Sequence, residues 1–179
     1  MSLPHALLTA LAERTNSGSE LAARFDKSIG YFWQATHQQI YRELARLEEA
    51  GFIESLPEES TRGRKRAYRL LPSGRKELKR WIVQAHDPAG MRDELMVRLR
   101  AEAAIGPTGL DKQIRHRLAM HEEKLALYRN IEARDFPADV PQGRETALQH
   151  LVLKAGIRFE ANWIEFLNEA LAVLARPAA

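Results

Sequence analysis

Thr36-His37-Gln38-Gln39-Ile40-Tyr41-Arg42-Glu43-Leu44-Ala45-Arg46-Leu47-Glu48-Glu49-Ala50-Gly51 is the stretch that decides the fold. Thr36 and Gln39 have capping-box spacing, in which each side chain satisfies the other residue's backbone N–H, so a helix starts at Thr36. Ile40, Leu44 and Leu47 stand at i, i+4 and i+7 and form one buried face. At roughly 100° per residue, Gln38, Arg42 and Ala45 point the opposite way, with Gln39, Tyr41 and Arg46 on the flanks. Gly51 closes the helix, and Phe52 beyond it can pack back. A helix that buries one face and offers Gln and Arg on the other has the chemistry to read bases. A Gln amide matches adenine and an Arg guanidinium matches guanine.

Upstream, Leu3 to Arg14 puts Leu7, Leu8 and Leu11 on one helical face, with Pro4 tolerated in its first turn. Thr15-Asn16-Ser17-Gly18 reads as a turn cluster. A second helix follows with Leu21, Ala22, Phe25 and Ile29 as its stripe. Ser17 and Glu20 have capping-box spacing for it, Ser19 is the alternative cap, and Gly30 ends it. Tyr31-Phe32-Trp33 leads into the third helix. Downstream the periodicity changes. Phe52 to Leu56 and Arg66 to Leu71 read as two short strands around the loop Pro57 to Lys65. Pro72-Ser73-Gly74 then turns the chain into a fourth helix with Leu78, Trp81 and Ile82. Three helices, a hairpin and a helix within about 85 residues is the order of a winged helix-turn-helix, whose third helix enters a major groove.

Charge supports that reading. The 179 residues carry a net +3, and all of the excess lies in residues 1–90, with 14 Lys/Arg against 11 Asp/Glu. Much of it falls in Arg62, Arg64, Lys65, Arg66 and Arg69, at the hairpin tip, where a wing reaches phosphate or minor groove. The expected DNA-binding set is therefore Thr36, His37, Gln38, Gln39, Tyr41 and Arg42 on the helix, with Arg62, Arg64, Lys65 and Arg66 on the wing.

Gln84 to Gly90 is a polar linker. The expected domains are a DNA-binding winged helix over residues 1–84 and a helical dimerisation region over residues 91–179. The second region reads as three helices, Arg92 to Ile105, Leu110 to Arg134 and Arg144 to Ala175. Leu110, Ile114, Leu118, His121, Leu125, Tyr128 and Ile131 form the stripe of the middle one. Leu148, Leu151, Val152, Ala155, Phe159, Trp163, Phe166, Leu167, Ala170, Leu171 and Leu174 line the last. That is more apolar surface than a chain half of this size buries alone, so Leu151, Phe159, Trp163, Phe166, Leu167 and Leu171 are expected to hold a homodimer. A two-fold dimer implies an inverted-repeat operator in double-stranded DNA. The fold class is thus mainly α with a small β-hairpin wing, plus an antiparallel helical C-terminal region.

Other chemistries find little support. There is no cysteine, which removes disulfides and thiolate metal sites and fits a cytoplasmic protein. His116 and His121 diverge on a helix, and the other histidines stand alone, so no metal is expected. No nucleophile elbow, phosphate loop or dinucleotide glycine pattern occurs, so neither an enzyme nor a cofactor is expected. No apolar run is long enough to span a membrane, and Met1 to Arg14 does not read as a signal peptide.

The N-terminal motifs resemble those of PadR-type transcriptional regulators. Ser2-Leu3-Pro4-His5-Ala6-Leu7-Leu8 is similar to their opening and Gly18-Ser19-Glu20-Leu21-Ala22-x-x-Phe25 to their second helix. Gly30-Tyr31-Phe32-Trp33 and Gln39-Ile40-Tyr41-x-x-Leu44-x-x-Leu47-Glu48-x-x-Gly51 resemble the recognition helix and its lead-in. Arg64-Lys65-Arg66-x-Tyr68-x-Leu70-x-x-x-Gly74 resembles the wing. The C-terminal half is similar to the longer subfamily and the related virulence-gene activators. Ser19 and Arg42 depart from the family's usual Tyr and Pro. The resemblance implies a bacterial homodimeric repressor released by a small aromatic or hydrophobic effector, expected between the halves at Tyr31, Phe32, Trp33, His121 and Trp163. An activator on the same fold, or a winged-helix adaptor that binds protein instead of DNA, are the alternatives.

Overall fold

The computed structural model describes residues 3–27, 35–56, 66–87, 90, 92–137 and 141–176. The chain divides into two compact units, Met1–Pro88 and Ala89–Ala179.

In the first unit, α1 spans Leu3–Glu13, β1 Asn16–Ser17, α2 Gly18–Lys27 and α3 His37–Glu49. They are followed by β2 Ile53–Leu56, β3 Ala67–Leu70 and α4 Pro72–Ile82. The core is built from the expected faces: Leu7, Leu8 and Leu11 of α1, Leu21, Ala22 and Phe25 of α2, and Ile40, Leu44 and Leu47 of α3. Ile53, Tyr68 and Leu78 close it from the strands and α4. Ile29 and Gly30 lie outside the described residues.

Both capping boxes form. Thr36 caps α3 reciprocally with Gln39. For α2 the cap is Ser17, not Ser19: the Glu20 N–H donates to Ser17 Oγ at 3.2 Å, and the Ser17 N–H donates to Glu20 Oε2 at 2.6 Å. The far end of α3 is a Schellman motif. Phe52 N–H reaches Leu47 O and Gly51 N–H reaches Glu48 O, both at 2.9 Å. That closure needs the left-handed φ of +68° at Gly51, which glycine adopts without a Cβ clash.

The Thr15–Gly18 segment differs from the expected turn. Asn16 and Ser17 form a third strand paired antiparallel to β3, in register with Tyr68 and Ala67, and the sheet order is β1-β3-β2. Both residues are buried. Asn16 is held by its own polar contacts, its amide donating to Arg14 O at 2.7 Å.

The second unit holds α5 Glu94–Ile105, α6 Leu110–Asp135 and α7 Arg144–Leu174. Contacts between α6 and α7 run in opposite senses: Glu132 meets His150, Tyr128 lies against Gly156, and His121 meets Glu160. The pair is therefore antiparallel. Leu95, Ile114, Leu167 and Ala170 centre the core, with Leu99, Trp163, Phe166 and Leu171 packed around them. At 31 residues, α7 is about 46 Å long. Its apolar stripe splits into two parts. The C-terminal part is covered within the unit, while Leu148, Leu151, Val152 and Phe159 are exposed. Among the described residues, no helix is long and apolar enough to cross a membrane.

Candidate nucleic-acid interface

The face of α3 opposite its core side is open. His37, Gln38, Gln39, Tyr41, Arg42 and Ala45 are all exposed. Two of the expected contact residues serve the helix itself. Thr36 Oγ1 accepts the Gln39 N–H at 3.2 Å, and Gln39 Oε1 accepts the Thr36 N–H at 2.9 Å. Gln38 and Arg42 have no partner among the described residues, so their donors and acceptors remain available to a ligand. Tyr41 is 47% exposed yet braced: a Cβ at Gly18 would come within 2.5 Å of its ring. Glycine there lets the first turn of α2 approach the ring, so the aromatic both packs on α2 and faces solvent.

The wing base is ordered by charge. Arg69 pairs with Glu54 directly across the strands, its Nη2 2.6 Å from Oε1. Arg66 is exposed and 3.7 Å from Glu48. Arg62, Arg64 and Lys65 lie outside the described residues, as do Tyr31, Phe32 and Trp33. The sequence reading passed over Glu48, which stands in the last turn of α3. Its Oε1 accepts the Ser55 N–H at 3.0 Å. That bond, helped by the Arg66 charge, outweighs partial burial and holds the carboxyl below the usual carboxylate range.

The second unit contains a charged cluster that hydrophobic periodicity alone missed. Glu160 is only 2% exposed and is met by His121 Nδ1 and, at 3.4 Å, by Lys124 Nζ. A carboxyl group at that depth requires such partners. His121 stacks on Trp163 with ring centroids 5.5 Å apart, and the Arg117 guanidinium lies 4.1 Å over the same indole. Arg117 also grips Asp93, the N-cap of α5, through both oxygens. The arginine holds the Asp93 carboxyl below its ordinary range. Beside this network is a cavity of about 440 Å³, lined among others by Leu95, Met120, His121, Lys124 and Phe159. Trp163 stacks on His121 but is not among the residues that line the cavity. The clue in the sequence was a polar residue on each of two apolar helix faces: His121 on α6, and Glu160 midway between Leu153 and Leu167 on α7.

A capped helix with an open polar face, braced by α2 and followed by a strand pair, defines a winged helix-turn-helix protein. The profile of the PadR-like family of transcriptional regulators matches residues 7–80, and that of the virulence activator alpha C-terminal region matches residues 91–175. A Mycobacterium tuberculosis protein named as a probable transcriptional regulator is 38% identical over 185 residues, spanning 97% of this chain and 98% of its own. The virulence activator AphA of Vibrio cholerae has a similar structure, with a TM-score of 0.82, 31% identity and coverage of 97% and 98%. So does Bacillus subtilis PadR in complex with operator DNA, at 0.84, 26%, 96% and 97%. The same protein in complex with p-coumaric acid gives 0.78, 26%, 98% and 96%. By sequence it is 28% identical across 96% of this chain and 97% of its own, and is named a negative transcriptional regulator. The chain belongs to the PadR-like family. It is a transcriptional regulator, and the family and its relatives are named as regulators, not enzymes.

Proposed function

We propose that this protein is a homodimeric, sequence-specific DNA-binding repressor of the cytoplasm, released from an inverted-repeat operator by a small aromatic or hydrophobic effector. The observation that carries the reading is the open face of α3, where Gln38 and Arg42, one turn apart, have no partner among the described residues. Residues 1–84 are the DNA-binding domain and residues 91–179 the dimerisation domain. The similarity to a structure holding operator DNA supports the first assignment. The relative named as a negative regulator supports repression. The similarity to a virulence activator favours a second reading, an activator on the same fold.

The duplex that the protein selects from a randomised pool is expected to be an inverted repeat. On it, Gln38→Ala or Arg42→Ala loses discrimination between matched and mismatched bases by roughly 1–3 kcal/mol per bidentate contact. Both variants keep their affinity for random DNA. Discrimination that survives both substitutions contradicts the assignment.

The effector is assigned to an aromatic wall with a few polar groups at His121, which lines the cavity of the second unit, with Trp163 stacked on that ring. Tyr31, Phe32 and Trp33 precede α3 in the chain, and a ligand stacking on them acts directly on that helix. To release DNA, the ligand must bind the DNA-incompetent arrangement more tightly. Hydroxycinnamates and planar hydrophobic cations are therefore titrated against tryptophan fluorescence, with and without the selected duplex. The expected result is quenching that releases DNA and is lost in Trp163→Leu or Trp33→Leu. Absence of quenching across that panel rejects the effector.

A further inference from the structure

β2 and β3 form the base of the expected wing, and whatever ties them to α3 bears on DNA binding. β2 is one of the two edges of the sheet, and among the described residues its outward N–H groups find no strand partner. Ser55 stands on that edge opposite Tyr68, and its N–H is taken by the Glu48 carboxylate at 3.0 Å. The other oxygen of Glu48 faces the Arg66 guanidinium at 3.7 Å. Arg66 immediately precedes β3, and its carbonyl accepts the Gly18 N–H at 3.3 Å. One side chain in the last turn of α3 thus touches both strands where they enter the wing. Glu48 is half-buried, and its backbone position is set by the Schellman closure at Gly51.

We propose that Glu48 is a positioning residue for DNA binding, locking the wing base to the reading helix through the Ser55 amide and Arg66. This rests on the wing reading above. The amide bond is the larger part, because the arginine pair is exposed and long. Glu48 itself need not touch DNA. Its removal leaves every cation of the chain in place but unties the strand pair from α3.

The test uses the full chain and the duplex that wild type selects from a randomised pool. Four proteins are compared with wild type: Glu48→Ala, Glu48→Gln, the triple variant Arg64→Ala/Lys65→Ala/Arg66→Ala, and the triple variant combined with Glu48→Ala. Circular dichroism establishes that each is folded. Glu48→Ala is expected to bind roughly tenfold more weakly. Its salt dependence shifts toward that of the triple variant, and hydroxyl-radical protection disappears at the outer, wing-contacted positions while persisting at the central ones. Glu48→Gln keeps an acceptor for Ser55 and binds within about threefold of wild type. Adding Glu48→Ala to the triple variant costs nothing further, because the groups it positions are already gone. A purely structural role would lower affinity without changing the salt slope, and would add to the triple variant. Wild-type salt dependence in Glu48→Ala, additivity, or a Glu48→Gln protein as weak as Glu48→Ala overturns the proposal. A triple variant that binds like wild type overturns the wing reading and this proposal together. A weak triple variant beside an unaltered Glu48→Ala overturns this proposal alone.

Discussion

Neutralising Arg64, Lys65 and Arg66 together is expected to weaken binding to every duplex, operator or random, by about a hundred- to a thousandfold at low salt. The reason is counterion release. Each cation that meets a phosphate frees close to one condensed counterion, so three such contacts contribute about 2–3 to the slope of log affinity against log salt. The loss shrinks as salt rises, and the slope falls by that amount. Base discrimination is unchanged, because phosphate contacts position the protein without reading sequence. Arg69 is the internal control. It belongs to the same basic run, but it is paired with Glu54 across the strands, and Arg69→Ala should barely change the slope. Fluorescence anisotropy over a salt series measures all of this. Equal affinity of wild type and the triple variant at low salt contradicts the wing assignment.

Replacing Leu151 and Phe159 by Asp is expected to produce monomers that bind the operator far more weakly, since each monomer reaches only one half-site. Near the C-terminal end of α7, the stripe is covered by α5 and α6 of the same chain, and Leu167 is fully buried. Nearer the N-terminal end Leu148, Leu151, Val152 and Phe159 remain exposed, Phe159 at 57%. A second copy burying the same patch satisfies both surfaces by two-fold symmetry. Two carboxylates in that patch cannot be buried without large cost, while a monomer keeps them in water. Leu167→Asp behaves differently: it strikes the core of the unit itself and unfolds it. Sedimentation velocity separates the cases. A Leu151→Asp/Phe159→Asp protein that stays dimeric would place the interface elsewhere.

The parts legible in the sequence were those fixed by local chemistry. Capping boxes, the glycine closure at Gly51 and the i, i+4, i+7 face of α3 are decided within one or two helical turns, and the structure has them all. What escaped depended on distant partners. The strand at Asn16–Ser17 is two residues long and exists because β3, some fifty residues on, supplies its hydrogen bonds; alone it reads as a turn. Glu160 drew no reading from the sequence, because its partners His121 and Lys124 stand on α6, about forty residues upstream. The stripe of α7 announced more apolar surface than the unit buries, but not which part stays open: α5, 12 residues long, packs with α6 on the C-terminal part, so Trp163, Phe166, Leu167 and Leu171 belong to the core of the unit. Glu48 was visible as a motif letter, but its partner is a strand-edge amide that no helical periodicity announces. At the reading face the opposite holds. Gln38 and Arg42 were identified because a helix wheel places them opposite the core, and exposure of a helix face is a local property.

The central claim is that this regulator reads DNA sequence through α3, and competition binding tests it most directly. Labelled duplex selected by the protein is displaced at physiological salt by unlabelled duplex of the same sequence or a scrambled one. Specific recognition predicts that the scrambled duplex competes at least about a thousandfold less well, and that Arg42→Ala narrows the gap. Equal competition by the two duplexes, unaltered in Arg42→Ala, would show that the fold binds charge alone and would contradict the account.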